Sequence, residues 1–209
     1  MPVTILVTGF GPFPGAPFNP TGPMVESLAR LRRPRIANVK IIPHVFPTSY
    51  TAVDQDLPKL LARHKPDVLL MFGLATRATA IRIETQARNA ITLLPDAAGY
   101  APRRGTIAAG RSTLAIPAPV AALLAAARGA RVPVVRSRNA GSYLCNYLCW
   151  RASEAAGKSR RPRLAAFIHV PPVRGRARPQ KALKITLSLD DLIRAASHLL
   201  IAMVAAARR

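Results

Sequence analysis

Apolar residues recur along this chain in two rhythms, short continuous runs and longer stretches spaced by three or four. The continuous runs predict strands over residues 4–8, 67–73, 132–135 and 164–170, the last stopped by Pro171-Pro172. A further strand is expected over 38–46, interrupted at Pro43, with shorter ones over 81–83 and 90–94. Helical spacing marks 23–31, 50–64 with a break near Pro58, the Ala-rich 117–128, and a segment opening near Cys145 and ending at Gly157. Residues 95–111 carry Gly and Pro punctuation and read as a long loop, and 173–181 as an exposed basic one. The last apolar stretch, 189–207, contains Asp190, Asp191, Arg194 and His198. It therefore reads as an amphipathic helix capped by Ser188 or a neighbour, not as a membrane span.

Strand and helix alternate in a way that favours an α/β fold: a three-layer α/β/α arrangement around a largely parallel central sheet. No repeat or linker divides the 209 residues, so one domain spanning 1–209 is expected. In such sheets ligands bind beyond the C-terminal strand ends. If the strands are parallel, the loop after the first strand, His169 and Cys145 gather at one edge.

Composition narrows the class. A 50% hydrophobic fraction argues for a globular core despite few aromatics. The two cysteines, Cys145 and Cys149, share one helix face and are poor disulfide partners, which suits a reducing cytoplasm. Met1 leads straight into a strand-like segment, with no secretory leader expected. The formal charge of +22 favours binding of polyanions. Its arginines are scattered over expected loops without interleaved aromatics, so nonspecific contact with nucleic acid is expected in place of sequence reading.

Candidate chemistry centres on Asn139-Ala140-Gly141-Ser142-Tyr143-Leu144-Cys145-Asn146, where a turn delivers a cysteine into a helix start. Unpaired N–H groups and the helix dipole favour a thiolate there, although a free cysteine also serves as a small buried hydrophobe. A nucleophilic thiol needs a base, and the base an orienting group. Of four histidines, His64 and His198 suit the surface and His44 a strand, whereas His169 closes a strand. His169 equally fits a buried histidine bonded to backbone. Glutamate is rare: Glu26 and Glu154 suit helix surfaces, leaving Glu84, which is also placed to pair with Arg82 or Arg88. No His/Cys/Asp/Glu spacing supports a metal, and Gly9-Phe10-Gly11 begins a dinucleotide fingerprint that then fails, so no cofactor is expected.

Five blocks in order resemble the pyroglutamyl peptidase I family of cysteine peptidases. They are Val7-Thr8-Gly9-Phe10-Gly11-Pro12-Phe13 with Asn19-Pro20-Thr21, and Lys65-Pro66-Asp67 leading to Gly73. Glu84 with Ala87, Asn89 and Pro95-Asp96 makes the third, Ala140 to Asn146 the fourth, and Phe167-Ile168-His169-Val170-Pro171 the fifth. The resemblance implies Cys145 as nucleophile, His169 as base and later acid, and Glu84 as the orienting group. It further implies hydrolysis of an N-terminal pyroglutamyl amide through a thioester, with Phe10 and Phe13 walling the lactam ring, and a homo-oligomer. Phe10 and Phe13 also suit plain core packing. The chain departs from the family at Leu74, where a polar substrate-holding group is usual, at Arg77, and between Asn89 and Pro95, which lacks the usual polar and arginine residues. Leu74 then stands at the substrate and leaves room for a different N-capped amide. A non-catalytic polyanion-binding protein is the reading from another class.

Overall fold

The computed structural model of the chain describes residues 2–158, 161–174 and 187–209. Six strands form the central sheet in the order β2-β1-β3-β8-β4-β7. They are β1 (Val3–Phe10), β2 (Val39–Phe46), β3 (Val68–Leu74), β4 (Ile81–Glu84), β7 (Val134–Ser137) and β8 (Leu164–Val170). A separate antiparallel pair joins β5 (Gln86–Arg88) to β6 (Thr113–Ala115). Helices α1 (Thr21–Ala29), α3 (Val120–Gly129) and α5 (Leu189–Ala207) cover one face, and α2 (Tyr50–His64) and α4 (Leu144–Lys158) the other.

Strand alternation sorts the core into these two layers. Val68, Leu70 and Phe72 of β3 face α1, α3 and α5, while Leu69 and Met71 face α2 and α4. All five are essentially sealed from water, and each buried side chain of this size contributes about 1.5–3 kcal/mol. The three-layer α/β/α arrangement read from the sequence is therefore observed.

The sheet is parallel from β2 through β8, but β4 runs antiparallel to β8, and β7 follows β4. A parallel return needs a crossover of a dozen or more residues. Only residues 75–80 separate β3 from β4, so β4 has to come back the other way.

Several local expectations shift. Pro43 does not interrupt β2, because β2 is an edge strand and proline's missing N–H costs little there. Pro58 sits within an unbroken α2 on its exposed side. Residues 90–94 are not a strand. Their backbone is satisfied elsewhere: Ile91 N–H donates to the Gly105 carbonyl, Thr92 N–H to that of Ser142, and the Ala90 carbonyl accepts from the Asn146 side chain. The strand expected over 132–135 lies at Val134–Ser137. Helix α5 matches its expected bounds and begins with a capping box: Asp191 N–H donates to Ser188 Oγ, and Ser188 N–H to Asp191 Oδ2. Of the basic loop expected over 173–181, residues 175–181 lie outside the described residues. The described members of the arginine clusters, from Arg32 and Arg33 to Arg208 and Arg209, are exposed.

Candidate active site

Antiparallel pairing of β8 with β4 sets His169 opposite Arg82 and Phe167 opposite Glu84. Diagonal neighbours on one face of such a ladder are within side-chain reach. Glu84 uses that diagonal: its Oε1 lies 2.9 Å from His169 Nδ1, and both side chains are buried. Its Oε2 accepts from the Asn139 backbone N–H at 3.2 Å. The salt bridge to Arg82 or Arg88 weighed from the sequence gives way to this arrangement. Arg88 reaches Asn139 Oδ1 instead, at 3.2 Å.

The thiol arrives from the reversed half of the sheet. Thr85 N–H donates to the Ser137 carbonyl, the chain turns through Gly141 at φ 84°, and α4 begins at Leu144 over the α2/α4 face. The Tyr147 N–H closes the first helical turn on the Tyr143 carbonyl. Cys145 is therefore the second helical residue, and its N–H belongs to the first turn, where no carbonyl four residues back is available within the helix. Cys145 Sγ rests on Gly73. A Cβ added there would stand 2.7 Å from Sγ and 2.8 Å from Phe167 Cζ, so the close approach needs glycine. Gly73 pairs with His169 across β3 and β8, which brings thiol and imidazole together.

The electrostatics follow from this packing. Burial alone would lower the His169 pKa. The charge of the Cys145 sulfur and a hydrogen bond to it, followed by the bond and charge of Glu84, outweigh burial and raise it to about 9. The imidazolium is thus the favoured form of His169 at neutral pH. Cys149, one turn further along α4, is fully buried. Burial first, then the charges of Glu84 and Cys145, push its thiol well up, which leaves it protonated and inert.

Phe10 is buried against Phe46 with ring centroids 5.9 Å apart. Its backbone is clamped by Thr21 Oγ1, which accepts from the Phe10 N–H at 2.9 Å, while Asn19 Nδ2 donates to the Gly11 carbonyl. Phe13 lies half-buried in a small bridge with Ala16. Leu74 ends β3 opposite Val170, and strand alternation turns it to the opposite face of the sheet from Gly73 and the sulfur. The other histidines are elsewhere: His44 lies 3.4 Å from Asp56, His64 ends α2, and His198 is exposed on α5.

Against known proteins, the family model for pyroglutamyl peptidases matches residues 3–209. The chain belongs to the pyroglutamyl peptidase family. A pyrrolidone-carboxylate peptidase of Thermococcus onnurineus is 31% identical over 199 residues, covering 90% of this chain and 96% of that protein. One from Thermococcus kodakarensis is 34% identical over 173 residues, 80% of each. The solved pyrrolidone carboxyl peptidase of Thermococcus litoralis superposes with a TM-score of 0.89 at 28% identity, covering 97% of this chain and 94% of its own.

Within this family frame, three contributors carry no chemical signature of their own. Gly73 supports the sulfur, the Asn139 N–H holds Glu84, and buried Asn146 ties α4 to the β5 segment through the Arg88 N–H and the Arg88 and Ala90 carbonyls. Only Gly73 had a readable signal, a glycine closing an otherwise bulky apolar strand. Among the described residues no three His, Cys, Asp or Glu side chains gather as a metal site, and no helix is long and apolar enough to cross a membrane.

Proposed function

We propose that Cys145, His169 and Glu84 are the catalytic residues of a cysteine peptidase that removes N-terminal pyroglutamate from peptides. The observation that carries this is the 2.9 Å contact of Glu84 with His169, whose imidazole lies against the Cys145 sulfur at the first turn of α4. The Cys145 thiolate attacks the pyroglutamyl carbonyl carbon, and the carbonyl electrons move onto oxygen. The Cys145 N–H is placed to hold that oxyanion. His169 gives its proton to the leaving amine as the C–N bond breaks, leaving a thioester. Neutral His169 then takes a proton from water, the hydroxide attacks the thioester, and pyroglutamate leaves as the thiolate reforms. Glu84 holds Nδ1, keeps Nε2 turned to the sulfur, and stabilises the imidazolium.

Phe10 and Phe13 supply apolar walls for the lactam, whereas Leu74, expected from the sequence to stand at the substrate, turns its side chain to the other face of the sheet. The chain acts as one domain over 1–209, without metal or cofactor, in the cytoplasm, as a homo-oligomer. Its basic surface attracts nucleic acid only nonspecifically.

The test is turnover of a fluorogenic pyroglutamyl amide by wild type and Cys145→Ala, beside a panel of other N-acyl amides. Turnover of the pyroglutamyl substrate that disappears in the variant is expected. Activity surviving Cys145→Ala would overturn the assignment of the nucleophile, and turnover confined to another N-cap would replace the substrate.

A further inference from the structure

Among the described residues, four large apolar side chains stand exposed, and three of them share one loop: Leu93 at 58%, Leu94 at 68% and Tyr100 at 52%. That loop is fastened to the residues around the nucleophile. Thr92 N–H donates to the Ser142 carbonyl at 2.6 Å, Tyr143 Oη to the Pro95 carbonyl at 3.3 Å, and Asn146 Nδ2 to the Ala90 carbonyl at 2.8 Å. Residues 142, 143 and 146 flank Cys145 in the chain on both sides, so the loop that carries the leucines is fastened to the segment that delivers the thiol.

The loop is also ordered before any ligand arrives. Asp96 is buried at its base and accepts from the N–H groups of Tyr50, Ala98 and Tyr100. Burial would raise its pKa, but these bonds together with the Ser49 hydroxyl lower it, so the carboxylate persists as an anchor. Tyr100 forms one wall of a cavity of about 350 Å³ against α2, where Ile91, Pro102 and the rings of Tyr50 and Tyr147 meet the polar Thr51, Asp54 and Gln55, so the apolar surface of the loop ends at a polar border on that side. Apolar surface in water that is already ordered gains most from being covered, because little entropy is lost in covering it.

We propose that Leu93, Leu94 and Tyr100 form an apolar shelf on the leaving-group side of Cys145, which selects peptides whose residue after pyroglutamate carries a large apolar side chain. The inference rests on the pyroglutamyl-peptidase reading above. The lactam has its own walls in Phe10 and Phe13, one of them buried in the core. What the shelf covers is therefore the part of the substrate that stays outside that pocket, and the first such part is the residue beyond the scissile bond.

The test measures kcat/KM for a series of pyroglutamyl-X amides with X as Leu, Phe, Gly, Ser, Asp and Arg. Wild type is expected to prefer Leu and Phe over Gly and Ser by about tenfold, the scale on which apolar pockets discriminate. In the double variant Leu93→Ser/Leu94→Ser that ratio falls towards one. Leu94→Asp supplies the converse, raising Arg relative to Leu. Thermal unfolding and the rate of Cys145 alkylation by iodoacetamide check that each variant is folded with its thiol in place. Wild-type turnover that is indifferent to X, or a preference that survives both variants, overturns the shelf while leaving the peptidase reading intact. A wild type inert on every pyroglutamyl amide overturns both.

Discussion

Strands β2, β1, β3 and β8 run one way and β4 and β7 the other, and the two halves reach the site by different routes. The parallel half delivers its groups where such sheets usually do, at C-terminal strand ends: Phe10 closes β1, Gly73 lies next to last in β3, and His169 next to last in β8. The reversed pair supplies Glu84 from the side, along a ladder diagonal. Its thiol comes by a turn that carries α4 back over the face of the sheet. The proposed catalytic centre thus sits on a seam. A strand end fixes a side chain with one element, whereas a seam has to align two, and small errors at the junction should cost more than errors on either side.

The largest expected effect breaks the seam at its polar link. Both oxygens of Glu84 are acceptors, one facing His169 Nδ1 and the other the Asn139 N–H. Glu84→Gln keeps the shape but offers one acceptor, so one donor meets an amide NH₂, and the negative charge disappears. A fall in kcat/KM of roughly 10³-fold is expected, about 4 kcal/mol of transition-state stabilisation. The pH profile adds a signature. His169 is held protonated to about 9, so wild-type kcat/KM should fall as pH rises through about 9, when the leaving amine loses its proton donor. Glu84 is among the causes that raise this pKa, and removing its charge moves the basic limb to lower pH. A limb that stays in place in the variant would show that Glu84 does not act through His169.

The apolar side of the seam is Gly73. In Gly73→Ala the new methyl stands 2.7 Å from the sulfur and 2.8 Å from the Phe167 ring, so the thiol has to move by about 1 Å to reach ordinary contact. Displacement on that scale costs roughly 10²-fold in rate, about 3 kcal/mol. Gly157→Ala, whose Cβ meets nothing within 4 Å at the far end of the same α4, is the matched control and should retain activity. Equal activities in the two variants would mean that the sulfur does not depend on its glycine floor.

The same division explains what was legible in the sequence. The runs ending at Gly73 and His169 are continuous and buried on both faces, so periodicity and strand-end logic locate them without a structure. Helix α2 likewise carries its bounds in its spacing, and α5 in its spacing and its Ser188 cap. The direction of β4 was not read, although the six residues after β3 contain it through a simple length limit. Residues 90–94 misled because an apolar run does not reveal where its backbone hydrogen bonds go, and here they go to Asn146, Ser142 and Gly105. Cys145, His169 and Glu84 could be named because cysteine and glutamate are rare in this chain. The Asn139 N–H that holds Glu84 is a backbone group, which no residue identity announces.

The smallest effect tests whether the face away from the seam is energetically separate from it. Ser188 caps α5 on the opposite side of the sheet, where its hydroxyl accepts from the Asp191 N–H at 3.1 Å and its own N–H reaches Asp191 Oδ2 at 2.9 Å. The hydrogen bonds from the Ser188 backbone and side chain, then that of Arg194, lower the Asp191 pKa to about 2. Ser188→Ala removes one cap acceptor and one of those bonds. It should cost about 1 kcal/mol of stability, read as a lower Tm. The backbone N–H bond persists, so the Asp191 pKa should rise only part of the way to its ordinary value. Stability that depends on a lowered carboxylate is present above the unfolded pKa and fades as pH falls through the folded one. The part of the difference that comes from the Ser188 Oγ bond to the Asp191 carboxylate should therefore shrink below about pH 4 and fade as pH falls through about 2, while the part from the Asp191 N–H bond to Ser188 Oγ remains. Turnover at 25 °C should not change, because Cys145, His169 and Glu84 present their side chains on the α2/α4 face and α5 covers the other. A Ser188→Ala protein that melts lower and also loses rate would tie the two faces together and make the seam a property of the whole sheet, not of its α2/α4 side.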